Sequence, residues 1–196
     1  ILALKDSVLA DIIPQLAKGR EGQMFFHTAG SIPLSVFEGC NLVHYGVLYP
    51  MQTFSKERQV DFTHVPFFIE GNDSETKQLG KSIASSVSDN VRELSSEGRR
   101  RLHLAAVFAC NFSNHCYALS AEILKDYDVP FSVMLPLIAE TAEKVKTLAP
   151  REAQTGPAVR FDENVIASQS ALLTDRPLMQ EIYDLMSKSI HQLAND

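Results

Sequence analysis

The spacing of apolar residues changes character half-way along this chain, and that change limits the fold more than any other feature. In the first half, short apolar runs alternate with helical patterns. Residues 1–4 read as a buried strand closed by Lys5-Asp6. Asp6 or Ser7 would cap a helix over 8–18, where Val8, Leu9, Ile12, Ile13 and Leu16 recur at the helical period. Pro14 would kink or break that helix, and Gly19 would stop it. Further apolar runs at 24–26, 42–48 and 67–69 read as strands, with a helix over 74–86. Strands alternating with helices predict a parallel sheet with crossover helices. From Ser95 onward strand signals vanish. Helices are expected over 95–125, started by Ser95 or Ser96, and over 131–148, 162–173 and 177–193, with a loop at 150–157. The predicted organisation is α/β over residues 1–94, followed by an all-α part over 95–196.

Composition fits a globular chain: 196 residues, 45% hydrophobic and 21% charged. A net charge of -6 argues against nonspecific nucleic-acid binding. The one basic run, Arg99-Arg100-Arg101, reads as a solvated early helix turn or as a phosphate contact. Cys40, Cys110 and Cys116 form no disulfide framework or metal-binding spacing, which points to a reducing, cytoplasmic setting and to no metal. No run approaches the ~18 apolar residues needed to cross a bilayer. The chain opens directly on Ile1-Leu2-Ala3-Leu4, so an upstream part is expected, with trimming of a complete domain as the alternative.

Several segments carry polar groups that a core does not need. Ligands of open α/β sheets lie beyond the carboxyl ends of strands, and two such ends are polar here: Leu4-Lys5-Asp6 and His27-Thr28-Ala29-Gly30-Ser31. They are candidates for the nicotinamide edge of a dinucleotide, or else plain turns with Ser31 as a cap. No glycine-rich dinucleotide fingerprint accompanies them. Gln52 and Thr53, after the run Tyr49-Pro50-Met51, could line a substrate pocket. On an ideal helix Asn114 lies about 20° from His103, and Asn111 about 80° away and ~12 Å further along. Among Leu, Ala, Val and Phe this face is expected to be buried. His103 and Asn111 are candidate catalytic groups, as proton donor or acceptor and as substrate orienter, against the alternative of a satisfied core histidine. In Thr155-Gly156-Pro157-Ala158-Val159-Arg160-Phe161-Asp162, Arg160 could clamp a substrate anion or form an ion pair, and Asp162 would cap the next helix. Thr155 and Asn114 complete the candidate substrate contacts.

Taken in order, His27–Ser31, Tyr49–Phe54, His103-Leu104-Ala105-Ala106 with Asn111, and Thr155-Gly156-Pro157 with Arg160 and Asp162 resemble a family of NADP-dependent oxidoreductases. Its members have a Rossmann-like N-terminal domain and a helical C-terminal domain of unknown function, and are similar to pyrroline-5-carboxylate reductase and the 3-hydroxyacid dehydrogenases. The resemblance implies NADP or NAD as cofactor, a small carbonyl, imine or hydroxyacid substrate, a site in the cleft between domains, and a homodimer formed through the helical domain. It also implies a first βαβ unit with a phosphate loop ahead of the strand expected at Ile1, which these residues lack. The competing readings are a non-catalytic nucleotide sensor or scaffold, and a dimerisation module. Neither nucleic acid nor membrane is an expected partner.

Overall fold

In the computed structural model, which describes residues 1–196, the adjacent Phe25 and Phe26 are buried in two different cores, one on each face of a four-stranded sheet. That separation is the side-to-side alternation of a strand. The strands are β1 (Met24–His27), β2 (His44–Pro50), β3 (Phe67–Gly71) and β4 (Val91–Glu93), in the order β1-β2-β3-β4. β1 pairs with β2 in parallel and β3 with β4 in parallel, whereas β2 and β3 are antiparallel. The sheet is therefore mostly parallel, with one reversal that the alternation rule did not anticipate. Its cause lies between Pro50 and Val65: the segment carries no crossover helix, so the chain returns along the neighbouring strand. Residues 1–4 form only a bridge from Leu2 to His27, not the expected strand. Ile1, Ala3 and Leu4 are exposed, and the run lacks the two-sided burial of a central parallel strand. β4, Val-Arg-Glu, is too short and polar to show as an apolar run.

One face of the sheet is covered by helix α1 (Asp6–Ala17), whose Leu9, Ile13 and Ala17 pack with Phe25, Ala29, Phe37 and Leu42. Pro14 does not break α1, because buried residues on both sides of it hold the helix to the sheet. Neither Asp6 nor Ser7 caps it; Lys5 occupies the cap position, and the Asp6 carboxylate instead accepts a hydrogen bond from the Ser31 hydroxyl. The other face is covered by α2 (Ser74–Ser85), with Ala84 among Phe26, Leu48, Phe67 and Ile69. Asp73 caps α2, accepting from the Thr76 N–H at 2.8 Å.

Helix α3 (Ser96–Ala106) begins, as expected, at a serine cap: the Ser95 hydroxyl accepts from the Gly98 N–H at 3.3 Å. Its attachment to the sheet is electrostatic. His27, Val47 and Glu70 are register partners across β1, β2 and β3, so their side chains share one face. The Arg99 guanidinium is fully buried and donates to Glu70 at 2.6 Å, and also to the Ile32 carbonyl. Ser96 adds its N–H and its hydroxyl to the same carboxylate, at 2.9 and 2.7 Å, and its hydroxyl oxygen accepts from the Leu34 N–H at 2.8 Å. Arg99 is thus neither solvated nor free for phosphate. Arg100 and Arg101 are exposed, as the solvated reading expected, and Arg101 pairs with Glu97 at 2.9 Å.

After α3 the backbone widens into a π-helical turn, Val107–Phe112, and then continues as α4 (Ser113–Lys125). The expected uninterrupted helix is corrected on this point. The face expected to be buried is so only in its first turns: His103 and Val107 are half-buried, whereas Cys110, Asn111 and Asn114 are exposed. By its internal contacts the chain divides into two units, 1–113 and 114–196. In the second, a 3-10 turn (Phe131–Met134) precedes α5 (Leu135–Lys144), so the helix expected over 131–148 is shorter at both ends. The expected loop at 150–157 contains a short helix, α6 (Pro150–Ala153), made possible by Pro150 at its first position. The rest is α7 (Pro157–Arg160), α8 (Glu163–Ala171) and α9 (Pro177–Asn195). An apolar groove of about 300 Å³ is lined by Leu119, Ile123, Leu173, Met179, Ile182 and Met186. No helix is long and apolar enough to cross a membrane.

Removing one member of a buried ion pair leaves the other without compensation. Arg99→Met is expected to cost about 3 kcal/mol of unfolding free energy, and Arg99→Met with Glu70→Leu less than that. Urea titration of both variants checks this; a single variant as stable as the parent would mean that the pair does not hold α3.

Candidate functional site

α3 meets the sheet at two steps, one on β3 and one on β2. Val47 and Tyr49 are two residues apart on β2, about 6.6 Å, and point to one face. Arg99 and His103 are four residues apart on α3, about 6 Å of rise and again one face. Arg99 bonds Glu70 in the Val47 row, and His103 Nδ1 lies 3.2 Å from the Tyr49 hydroxyl. The same imidazole presses on the end of β1. A Cβ at Gly30 would stand 2.6 Å from His103 Nδ1 and 2.9 Å from Tyr49 Cζ, so only glycine permits this approach. Gly30, Tyr49 and His103 therefore form a single cluster at the strand ends.

The remaining candidates are distributed as follows. Leu4, Lys5 and Asp6 are exposed, and Asp6 is joined to Ser31. The Thr28 N–H donates to the Leu2 carbonyl at 3.3 Å, while Ala29 and Gly30 are buried. Gln52 and Thr53 are exposed and face each other, the Gln52 amide oxygen accepting from the Thr53 N–H at 2.8 Å. Asn111 lies exposed inside the π-helical turn, which invalidates angles counted at the ideal helical pitch, and no hydrogen bond joins it to His103. Asn114 and Thr155 are exposed.

The turn that presents Arg160 is rigid. Gly156 takes φ 107°, a backbone reserved for glycine, and Pro157 opens α7. Phe161 turns left-handed at φ 52°, its ring 4.6 Å from that of His191, and His191 Nδ1 donates to the Val159 carbonyl at 3.4 Å. Asp162 caps α8, accepting from the Val165 N–H at 3.3 Å, as the sequence suggested. Arg160 is exposed and forms no ion pair with Asp162 or any other carboxylate.

His27 has a different place from the one its position in the strand-end loop suggested. Its ring is fully buried, stacked on Phe37 at 5.6 Å, and Nδ1 accepts from the Ala29 N–H at 3.2 Å. The residue is closed off on both sides of its strand, paired with Val47 and bridged to Leu2. Sequence reasoning missed Tyr49, Glu70, Ser96 and Arg99. For Arg99 a signal existed: it is one turn before His103 and so shares that residue's face. No group of three His, Cys, Asp or Glu side chains is placed to hold a metal ion.

The family match runs from β3 through most of α9. Residues 65–190 match a domain of unknown function, DUF2520. The chain belongs to the DUF2520 family. The match bears out the resemblance read from the motifs, with its Rossmann-like N-terminal part and its helical C-terminal domain. A DUF2520 chain of this kind is similar in structure to the putative NADP oxidoreductase of Bacteroides fragilis, at 56% identity and a TM-score of 0.91, over 97% of this chain and 73% of that one. A Thermotoga maritima protein shares the fold at 22% identity and a TM-score of 0.79, over 100% of this chain and 78% of that one. No protein of curated function matches.

Burial first, and then the nearby Arg99 guanidinium, lowers the pKa of His27 from 6.5 to about 4, against the opposing pull of the Pro33 carbonyl, Asp6 and Glu70. Between those values the unfolded chain takes up a proton that the folded chain refuses. The stability associated with the neutral ring is therefore complete above pH 6.5 and is lost as the pH falls toward 4. A loss of roughly 3 kcal/mol across that window is expected, and His27→Gln should flatten it. Denaturant unfolding at a series of pH values tests this; an unchanged slope in the variant would assign the pH dependence to another group.

Proposed function

We propose that this DUF2520 chain belongs to an oxidoreductase that moves hydride between NADP(H), or NAD(H), and a small carbonyl, imine or hydroxyacid. The observation that carries the reading is the contact of the His103 imidazole with the Gly30 backbone at the end of β1. It brings the one candidate acid–base group of α3 to the strand-end loop where open α/β sheets take ligands. The likeness to the Bacteroides fragilis protein, named for NADP, points the same way.

The residues fit the nicotinamide end of a dinucleotide. Leu2 and β1 run parallel, and the loops at their carboxyl ends, Leu4–Asp6 and Thr28–Ser31, are tied together by the Asp6–Ser31 hydrogen bond. They do not supply a phosphate grip, since no glycine-rich turn occurs among them. When bound, the cofactor supplies or accepts the hydride. Thr28–Ser31 would edge its ring, and His103 would hold a hydrogen bond or proton at the reacting oxygen or nitrogen of the substrate. Gln52 and Thr53 are proposed substrate contacts beside β2. Asn111 is a proposed orienting amide. Arg160, with Thr155 and Asn114, is a separate proposal for contacts to an anionic group.

A homodimer and a cytoplasmic setting belong to the same reading. All three cysteines are free, and large apolar side chains of α9, Leu178 and Leu185 among them, stand exposed in the second unit. Light scattering is expected to give twice the mass of the chain; a monomer at high concentration would remove the dimer.

Fluorescence titration of the full-length protein with NADPH and NADH tests the function, with saturation by at least one expected. Absence of binding of both at millimolar concentration would overturn it. Once a substrate is found, His103→Gln should lower turnover by about 10²–10⁴-fold. Undiminished turnover would remove His103 from the chemistry.

A further inference from the structure

We propose that Tyr49 is a positioning residue for His103: its hydroxyl donates to Nδ1, fixes the ring in the Nε2–H tautomer, and makes His103 a hydrogen-bond donor toward its ligand. The argument is a count of donors and acceptors. Tyr49 is only 8% exposed, and its hydroxyl has a single partner, His103 Nδ1 at 3.2 Å. If Nδ1 carried the proton and donated, the phenolic hydrogen would be left without an acceptor beside the sheet. If the phenol donates, both groups are satisfied. A phenolic O–H with no acceptor beside the sheet is the costly alternative, so the second arrangement prevails.

The surroundings favour the same choice. Burial raises the pKa of Tyr49, Arg99 opposes this and Asp6 adds to it, and the net effect keeps the phenol protonated. No carboxylate bonds Nδ1 in competition with the phenol. The two rings meet edge-on, at 70° with centroids 6.2 Å apart. Gly30 closes the third side of the cluster.

The free nitrogen of the ring points elsewhere. His103 Nε2 has no partner in the protein, and it is not among the buried unpartnered atoms, which are His27 Nε2 and Arg99 Nε. A neutral imidazole fixed this way presents an N–H to an acceptor and stabilises negative charge developing on it. The inference rests on the proposed function only for what that donor serves. Within it, the substrate is narrowed to a molecule offering a lone pair at the reacting group. A carbonyl oxygen fits; a protonated iminium, which has no lone pair, does not.

The test reads the tautomer directly. Long-range ¹⁵N–¹H correlation spectra of the ¹⁵N-labelled full chain are recorded well above the ordinary imidazole pKa, with His103 assigned by its loss in His103→Gln. The expected pattern is an unprotonated, hydrogen-bonded Nδ1 and a protonated Nε2. Tyr49→Phe should move the Nδ1 resonance away from its hydrogen-bonded position, while its amide spectrum reports whether the fold is kept. A protonated Nδ1 in the parent overturns the proposal even if the variant does not fold. An Nδ1 resonance unmoved in a folded variant overturns it too. Cofactor binding is read separately by fluorescence, so the tautomer can hold where the proposed function fails, and the reverse.

Discussion

The carboxylate of Glu70 is the point on which the first unit turns. It stands at the end of a strand, faces the amino end of α3, and collects three hydrogen bonds, two from Ser96 and one from Arg99. Burial alone would push its pKa up; the Ser96 and Arg99 donors outweigh burial and bring it below the ordinary value. Because Arg99 also holds the Ile32 carbonyl and Ser96 the Leu34 N–H, one charge pair binds a strand, a helix and the loop after β1. The imidazole of His103 follows one turn later, and its place beside Gly30 is inherited from that arrangement.

The two halves of the sheet are held differently. On one face α1 supplies aliphatic side chains to a core of Phe25, Phe37 and Leu42, and on the other α2 covers Phe26 and Ile69. Helix α3 brings a cation to the first of these faces instead of a hydrophobic stripe. The amino-terminal part of α3 is thus specified by geometry at a few atoms more than by buried area.

Period-based reading served where burial is regular. β1, β2, β3, α2, the Ser95 cap and the Asp162 cap were all legible, because each depends on its own few residues. The loss of strand signals after Ser95 marked the all-helical stretch. What was not legible depends on partners distant in sequence. Arg99 is one of three consecutive arginines, and nothing local says which of them meets a carboxylate 29 residues earlier. His27 looks like a loop-edge residue until Phe37 is placed on it. The π-helical turn at Val107–Phe112 leaves no mark in an apolar pattern, so Asn111 was given an angle that the backbone does not keep. The antiparallel return of β3 depends on what the intervening segment lacks.

The matched steps of α3 and the sheet have a consequence for anyone recombining this scaffold. Two residues of an extended chain and four of a coiled one cover nearly equal lengths, so the helix meets the sheet at two matched marks, Glu70–Arg99 in the Val47 row and Tyr49–His103. Inserting or deleting one residue between the two helical marks swings the second by about 100° while the first stays engaged. Length changes between Arg99 and His103 are therefore not absorbed, and a transplanted version of this corner has to carry both marks as one piece.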